Sequence, residues 1–182
     1  YWPRNNQNEF IYITMRVSGK RDFVRFNFVD NREIARQTVA DSVTNATVSS
    51  DGEWLAYYVP LNGAKKSTVL LRLTNPTTMY RFDYGVLKSW ELLTDANRLL
   101  AFSPDSSRLA LLEDSNNFSV ARIINLKSSP IALNLAESVG NDIIGTAADI
   151  WFPNNDTLLI VGNDKKNTLD WNLYSYDIPT KQ

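Results

Sequence analysis

The chain has 182 residues, of which 43% are hydrophobic and 21% are charged, a composition typical of a folded globular domain and too apolar for a disordered one. Its formal net charge of −1 lacks the basic excess by which nucleic-acid-binding proteins neutralise phosphates, so we expect no nucleic-acid partner. The absence of cysteine and histidine excludes disulfide bonds, thiolate metal sites and catalytic triads that contain histidine.

Short strands separated by polar turns are predicted along the whole chain, because apolar residues alternate in short runs bounded by Gly, Asn, Asp, Ser and Pro. A loop or single helical turn is predicted at 84–96. The predicted strands are 10–17, 23–28, 34–39, 46–49, 54–59, 68–73, 78–82, 98–102, 108–112, 120–126, 131–135, 147–151, 157–161 and 173–177.

One local pattern occurs four times: an apolar residue, a polar turn, and a strand of small and large apolar residues. The copies lie at 2–13, 48–58, 102–112 and 151–161, and their aligned residues Pro3, Ser50, Pro104 and Pro153 lie 47, 54 and 49 residues apart. A regular period of this size is typical of a repeat architecture, in which neighbouring units bury each other's apolar faces.

The second copy carries Asp51-Gly52 at its turn, a strong hairpin signal because Gly accepts positive φ. The other copies place Ser or Asn where this Gly stands. Asn tolerates the left-handed region better than most residues, so we expect Asn155 of the fourth copy to adopt the same turn conformation.

The pattern resembles the Trp-Ser-Pro-Asp-Gly motif of TolB-like, WD-related β-propellers, most clearly at 102–112. The later strand 173–181 is similar to the Leu-Tyr-x-Tyr-Asp-Leu-x-Thr-Gly strand of the same family, with Lys181 where Gly is common. The resemblance implies an all-β fold of propeller blades, each a sheet of four antiparallel strands.

We expect a single propeller segment, 1–182, with repeats of about 50 residues each. Because the first and last repeats lack strands, the segment is expected to be part of a six- to eight-bladed propeller within a longer polypeptide. A closed four-bladed ring, or a dimer that completes a larger ring, remains open. The predicted repeats are 1–44, 45–96, 97–145 and 146–182.

Acidic residues are the remaining candidates for chemistry. Paired carboxylates such as Glu113 and Asp114, or Asp164 and Asp170, are interpreted as solvated turn residues. Asp51 and Asp105 are interpreted as turn formers that accept backbone N–H bonds, without a metal. We therefore predict no catalytic residue, no metal site and no cofactor.

Most aromatic residues alternate within strands and are predicted to pack in the core and between blades. Trp90 and Trp171 are exceptions, because they lie in or beside loops, where an exposed aromatic side chain suggests a partner contact. The predicted protein-binding residues, all in or beside loops, are Trp90, Trp171, Lys65, Lys66 and Lys165.

The sequence is interpreted as a non-catalytic propeller module that acts as a protein–protein interaction scaffold or sensor. No run of 18 apolar residues occurs, so no direct membrane insertion is expected. The resemblance implies an extracytoplasmic location: periplasmic, cell-surface or secreted. The alternatives are a substrate-gating propeller of a serine peptidase whose catalytic domain lies outside this chain, and a receptor domain that senses a small ligand or glycan.

Overall fold

The computed structural model describes residues 8–39, 44–60, 66–73, 79–82, 99–115, 118–127, 137–140 and 143–181. These ranges contain strands and turns and no helix, so no helix that could cross a membrane occurs among them. The strands are β1 (Glu9–Met15), β2 (Arg21–Asn27), β3 (Arg32–Val39), β4 (Thr44–Val48), β5 (Trp54–Pro60), β6 (Lys66–Arg72), β7 (Met79–Phe82), β8 (Leu100–Phe102), β9 (Arg108–Ser115), β10 (Phe118–Asn125), β11 (Glu137–Val139), β12 (Ile144–Trp151), β13 (Thr157–Asp164) and β14 (Trp171–Asp177).

The described strands form four antiparallel sheets, each in the order of the sequence. We name them blade 1 (β1–β3), blade 2 (β4–β7), blade 3 (β8–β11) and blade 4 (β12–β14). Blades 2 and 3 have four strands, and blades 1 and 4 have three described strands each. The predicted all-β architecture of small antiparallel sheets is confirmed; the predicted repeat boundaries stay predictions.

Strand β5 shows how the sequence pattern builds the stack of blades. Its side chains alternate between the two faces of blade 2, as in any strand. Leu55, Tyr57 and Val59 lie in the apolar cluster shared with blade 1, which includes Phe23, whereas Trp54, Ala56 and Tyr58 lie in the cluster shared with blades 3 and 4. Both faces of this sheet are therefore buried, because a neighbouring blade covers each one.

The repeated turn has the same hydrogen bonds in blades 2 and 3. The hydroxyl of Ser49 accepts the Trp54 N–H at 2.9 Å, and the hydroxyl of Ser103 accepts the Arg108 N–H at 3.0 Å. The residue at the Gly position has positive φ in both copies, 71° at Gly52 and 59° at Ser106.

The turn of blade 4 departs from this pattern, and the expectation for Asn155 is wrong, because Asn155 is not among the described residues with positive φ. Phe152 stands where blades 2 and 3 have Ser49 and Ser103, so the hydroxyl that closes the turn is missing. The side chain of Asn154 closes the turn instead, since its Oδ1 accepts the N–H groups of Asp156 and Thr157 at 2.9 and 2.8 Å.

The predicted strand 131–135 lies outside the described residues and stays a prediction; among the described residues, Glu137–Val139 pairs with β10. One further expectation differs from the structure. Strand β13 continues past the predicted end at Val161 to Asp164, so the loop after it is shorter than expected. Residue 162 can be part of this strand because it is glycine: a Cβ there would lie only 2.8 Å from the Thr146 carbonyl oxygen, too close for any other residue type.

Candidate protein-binding surface

The predicted binding residues fall into two groups. Trp171 is the first residue of β14 and its surface is 53% exposed, and Lys165 is an exposed residue of the preceding turn. The structure therefore brings these two onto one hairpin. Lys66 is the first residue of β6. Its side chain, like Trp90 and Lys65, lies outside the part of the chain that the structure describes.

The turn between β13 and β14 is held by its own polar groups. The Asp164 carboxylate accepts the N–H of Lys166 at 2.7 Å, and the Asp164 N–H donates to the Asp170 carbonyl at 3.0 Å. The Asn167 side chain donates to the Asp170 carboxylate. These bonds support the interpretation of Asp164 and Asp170 as turn residues, and they hold Leu169, which is 86% exposed, at the tip of the hairpin.

Strand register places Trp171 within a larger apolar surface. Leu173 pairs with Val161, and Leu159 pairs with Trp151 on one side and with Ser175 on the other. Paired residues point to the same side of an antiparallel sheet, so these side chains share one face. We call Trp151, Leu159, Val161, Trp171 and Leu173 the outer face of blade 4.

The outer face of blade 4 contrasts with the opposite side of the same sheet. Leu158 and Ile160 are fully buried against blade 3, and Tyr174 packs on the same cluster. Leu173, by contrast, is 60% exposed. The signal for Leu173 was present in the alternation of Trp171-Asn172-Leu173-Tyr174, but the sequence does not tell which side of a strand lacks a neighbour.

The side of blade 1 that faces away from blade 2 is only partly exposed, because Val24, which pairs with Tyr12 on it, is fully buried. Phe10 pairs with Phe26 across β1 and β2, and their ring centroids lie 5.5 Å apart. The Phe10 ring also lies 5.6 Å from that of Tyr12, which is 37% exposed. We call Phe10, Tyr12 and Phe26 the outer face of blade 1; the other side of this sheet, with Ile11 and Phe23, is buried against blade 2.

A charged network lies on this same side of blade 1. The Asp22 carboxylate is 1% exposed and accepts hydrogen bonds from Arg16 Nε at 2.8 Å, from Arg36 Nη1 at 2.8 Å and from the Thr38 hydroxyl at 2.8 Å. The hydrogen bond from Arg16, with those from Arg36 and Thr38, lowers the pKa of Asp22 to about 2 in spite of desolvation. The second carboxylate on Arg36 is that of Glu33, whose pKa the same guanidinium lowers.

The turns of successive blades are linked by hydrogen bonds that all run in one direction. The Asp51 N–H of blade 2 donates to the Ser106 hydroxyl of blade 3 at 3.0 Å. The Asp105 N–H of blade 3 donates to Asn155 Oδ1 of blade 4 at 2.9 Å. In each pair, a backbone donor of one blade meets a side-chain acceptor of the next.

Asp51 and Asp105 form the turns, as predicted from the sequence. The Asp51 carboxylate accepts the Glu53 N–H, and the Asp105 carboxylate accepts bonds from Ser103 and from the N–H and hydroxyl of Ser107. Burial acts to raise the pKa of Asp105, but these hydrogen bonds outweigh it and hold the pKa well below the usual range. Among the described residues, no three acidic side chains are grouped so that they could hold a metal ion.

A cleft of about 290 Å³ lies between blades 1 and 2, and its charged groups are already paired. Arg25 bonds to the Glu9 carboxylate at 2.5 Å, and Arg36 bonds to Asp22 and Glu33. Arg25 also donates to the Gly52 carbonyl of blade 2 at 3.4 Å, so both guanidinium groups are engaged within the fold. The lining residues are Ile11, Phe23, Arg25, Ile34, Ala35, Arg36, Gln37 and Leu73.

Comparison with known proteins identifies the fold. No protein-family model and no curated protein sequence matches the chain. The structure is similar to TolB from Acinetobacter baumannii, with a TM-score of 0.57 and 13% identity over 97% of this chain and 40% of TolB. It is also similar to the tricorn protease, with a TM-score of 0.58 and 13% identity over 98% of this chain and 21% of the protease.

A third similar structure is the β-propeller domain of the Trilobed protease from Pyrococcus furiosus, with a TM-score of 0.55 and 12% identity over 93% of this chain and 50% of that domain. The chain has the fold of a partial β-propeller, as the resemblance of its turn motif to TolB-like proteins predicted. It spans half or less of each of these three proteins.

Proposed function

We propose that this chain is a non-catalytic β-propeller module that binds another protein through the outer face of blade 4 and the adjoining hairpin. The observation that carries the proposal is the exposure of Trp171 and Leu173 on a sheet whose opposite side is fully packed. Large apolar side chains grouped on one exposed surface are typical of protein interaction sites.

The geometry supports this role in two ways. The strands β13 and β14 pair along their whole length, so Trp171 and Leu173 are fixed on a rigid sheet before any partner arrives. Lys165 is an exposed residue of the turn that leads into β14, and we propose it as a polar contact beside the apolar surface. A central aromatic group with a polar rim is the usual composition of a binding site for a protein. Lys65, Lys66 and Trp90 remain proposed contacts on other loops.

The partner in this proposal is a protein or a subunit, and the module requires no cofactor. We place the module outside the cytoplasm, on the similarity of its fold to TolB. A scaffold role is consistent with the architecture, because blades bury their apolar residues against each other and leave loops free to vary.

The proposal is tested by a photo-activated cross-linking residue introduced at position 171 in the organism that produces the protein. A specific adduct is expected from position 171, and the substitution Leu173→Ser should reduce its yield several-fold. The matched control is Val29, which is 64% exposed, somewhat more than Trp171, in the β2–β3 turn of blade 1. Equal adducts from positions 29 and 171, or none from 171, would contradict the proposal.

A second candidate function is the gating propeller of a serine peptidase. The observation that favours it is the similarity to the tricorn protease and to the propeller domain of the Trilobed protease. In that case the polypeptide that carries this chain should cleave peptides, and opening the packing between blades should admit larger substrates. An assay of that polypeptide on peptides of increasing length separates this function from the binding module.

A further inference from the structure

The β1–β2 hairpin carries a strip of apolar side chains that the fold leaves uncovered. Ile11, Ile13 and Met15 alternate along β1, so they share one side of blade 1, the side that packs against blade 2. Ile11 is buried there, whereas Ile13 is 41% exposed and Met15 is 71% exposed. Val17, in the turn after β1, is fully exposed. Exposure therefore increases along the strand toward the tip of the hairpin.

A missing neighbour does not explain the exposure of this strip. The carbonyl groups of Asn8 and Glu53 accept equivalent hydrogen bonds, from the N–H of the residue that follows β2 and β6 respectively, so Ile13 stands where blade 2 has Tyr58. Tyr58 is buried and bonds to blade 3. Ile13 stays exposed although its side of the sheet packs against blade 2. The strip is thus uncovered with the neighbouring blade in place.

The β13–β14 hairpin places a second apolar tip at the same end of the blades. The Asp156 carbonyl accepts the bond in blade 4 that Asn8 accepts in blade 1, so the two hairpins are equivalent connections. Equivalent connections of a repeat protein lie on one face. Leu169, like Val17, is exposed and lies past the last residue pair of its strands. Both side chains therefore project from the end of a blade and not from a side of its sheet.

Positive charge surrounds the two tips. Residues 15–21 and 164–170, which we call the hairpin end, contain five basic residues and two acidic ones, in a chain of net charge −1. Asp22 pairs with Arg16, and with Asp22 included the net charge of the hairpin end is +2. The equivalent segments of blades 2 and 3 offset each other, with Lys65, Lys66, Glu113 and Asp114. The exposed lysines of the hairpin end are Lys20, Lys165 and Lys166.

Backbone hydrogen bonds hold the first tip in place. The Arg16 N–H donates to the Lys20 carbonyl at 2.7 Å, and the Gly19 N–H donates to the Arg16 carbonyl at 2.9 Å. Val17 is therefore presented on a closed turn, and little ordering is needed when it meets a partner. Apolar side chains at a fixed tip, with long basic side chains beside them, match the boundary of a bilayer, where ammonium groups reach lipid phosphates while their stems stay in apolar surroundings.

The placement of the tips favours a planar partner over a compact one. Blades 2 and 3 lie between blade 1 and blade 4 in the chain order, so the two apolar tips do not form one continuous patch. The core of a protein interface is a continuous patch. A bilayer, by contrast, contacts every loop that projects far enough from the same end of the stack.

From these observations we propose that the hairpin end docks on an anionic lipid membrane. This surface is separate from the protein-binding outer face of blade 4, and the inference goes beyond that proposed function. Val17 and Leu169 enter the headgroup layer, Met15 lies behind Val17, and the lysines bind lipid phosphates. The contact is peripheral, because only the tips of hairpins take part and no segment crosses the bilayer.

Binding to vesicles tests the proposal. The chain should co-sediment with vesicles of phosphatidylcholine that contain about 30% phosphatidylglycerol, more weakly with phosphatidylcholine alone, and several-fold more weakly in about 0.5 M salt. Val17→Ser and Leu169→Ser should each lower the partition coefficient several-fold, since each removes an apolar group from the bilayer. Lys20→Gln should weaken binding to the anionic vesicles only. Val29→Ser, at an exposed turn of the opposite end, is the matched control and should bind like the native chain.

Site-specific labels test the orientation of the chain on the membrane. Because the chain contains no cysteine, Val17→Cys, Leu169→Cys and Val29→Cys each create a single site for a polarity-sensitive fluorophore. Emission from positions 17 and 169 should shift to shorter wavelength when anionic vesicles are added, and emission from position 29 should not. Circular dichroism spectra checked against the native chain ensure that only folded variants are compared.

The outcomes that overturn the proposal differ from those that bear on the protein-binding function. Absence of binding to anionic vesicles at low salt overturns it, as does binding that both serine substitutions at the tips leave unchanged, or an equal wavelength shift at position 29. A specific protein adduct from a cross-linking residue at position 17, without vesicle binding, would show that the hairpin end contacts a protein. None of these results contradicts the outer face of blade 4 as a protein-binding surface, because adducts from position 171 test that function.

Discussion

At the scale of single residues, the Asp22 network makes the stability of blade 1 depend on pH. Arg16, Arg36 and Thr38 lower the folded-state pKa of Asp22 from 3.8 to about 2, so the ionised carboxylate stabilises the fold above about pH 4. This contribution is lost as the pH falls through the folded pKa. Native protein should therefore lose stability between about pH 4 and pH 2.

The substitution Asp22→Asn removes this titration. Thermal unfolding should show a large deficit in melting temperature relative to the native chain at pH 7, and the deficit should shrink as the pH falls from about 4 to about 2. The matched control is Asp30→Asn, at an exposed carboxylate of the β2–β3 turn. A deficit that stays constant over this range would show that Asp22 acts through packing and not through its charge.

Ser106 combines a favourable contact with an unfavourable backbone conformation. Its hydroxyl accepts the Asp51 N–H, yet its φ of 59° favours glycine. Ser106→Ala should lower the free energy of unfolding by about 0.5–1.5 kcal/mol, because the bond is lost and the backbone strain stays. Ser106→Gly loses the same bond but relieves the strain, so it should be the more stable variant in urea unfolding. The reverse order would show that φ at this position is not strained.

At the scale of elements, Tyr58 connects blade 2 to blade 3. Its hydroxyl lies 3.1 Å from the Leu99 carbonyl and 3.0 Å from the Leu112 carbonyl, so it can donate to either one. Tyr58→Phe should cost about 0.5–1.5 kcal/mol, because one buried hydrogen bond between the blades is lost while the Leu99 carbonyl still accepts the Leu112 N–H. Denaturant unfolding measures this difference.

Tyr174 offers the matched control for this prediction. Its hydroxyl is buried and is the one buried side-chain polar atom without a hydrogen-bond partner among the described residues. Tyr174→Phe therefore removes an unsatisfied group, and we expect no loss of stability or a small gain. Equal losses from the two substitutions would contradict the role of Tyr58 as a bond between blades.

The strands were largely predictable from the sequence, and their ends and turns were less so. Alternation along Trp54–Pro60 and Trp171–Asp177 is visible without a structure. The turn conformation at Asn155 was not predictable from the residue's own preference, because the loss of a serine three residues earlier, at Phe152, decides which group closes the turn. Only the register shows that Trp171 and Leu173 continue the surface formed by Val161 and Leu159.

At the scale of the whole molecule, blades are stabilised by their immediate neighbours. Phe23 of blade 1 is fully buried and its ring lies 6.1 Å from that of Tyr57 in blade 2. Phe23→Ala should cost about 3–5 kcal/mol, through lost apolar contacts and the cavity left behind. Hydrogen exchange measured by mass spectrometry should then accelerate in blades 1 and 2, while β9 and β13 stay protected. Uniform acceleration along the chain would contradict stabilisation by nearest neighbours.

The architecture itself could be predicted because one turn pattern occurs four times at nearly constant steps. The binding surface could be predicted only in part. Trp171 stood out by its place beside a loop, whereas Leu173, Phe10 and Tyr12 look like ordinary core residues. Tyr12 and Leu173 are nevertheless exposed, and the local sequence does not tell which side of a strand is covered.

The hydrogen bonds between turns always have their donor in one blade and their acceptor in the following blade, and this affects how a chain of blades can grow by duplication. The donor is a main-chain N–H, which every residue except proline possesses, so point mutations in the upstream unit rarely remove it. The acceptor is a serine or asparagine side chain encoded within the downstream unit, as at Ser106 and Asn155. A tandem duplication copies that acceptor together with its strands. The contact between the original unit and its copy therefore has this hydrogen bond as soon as the duplication has occurred.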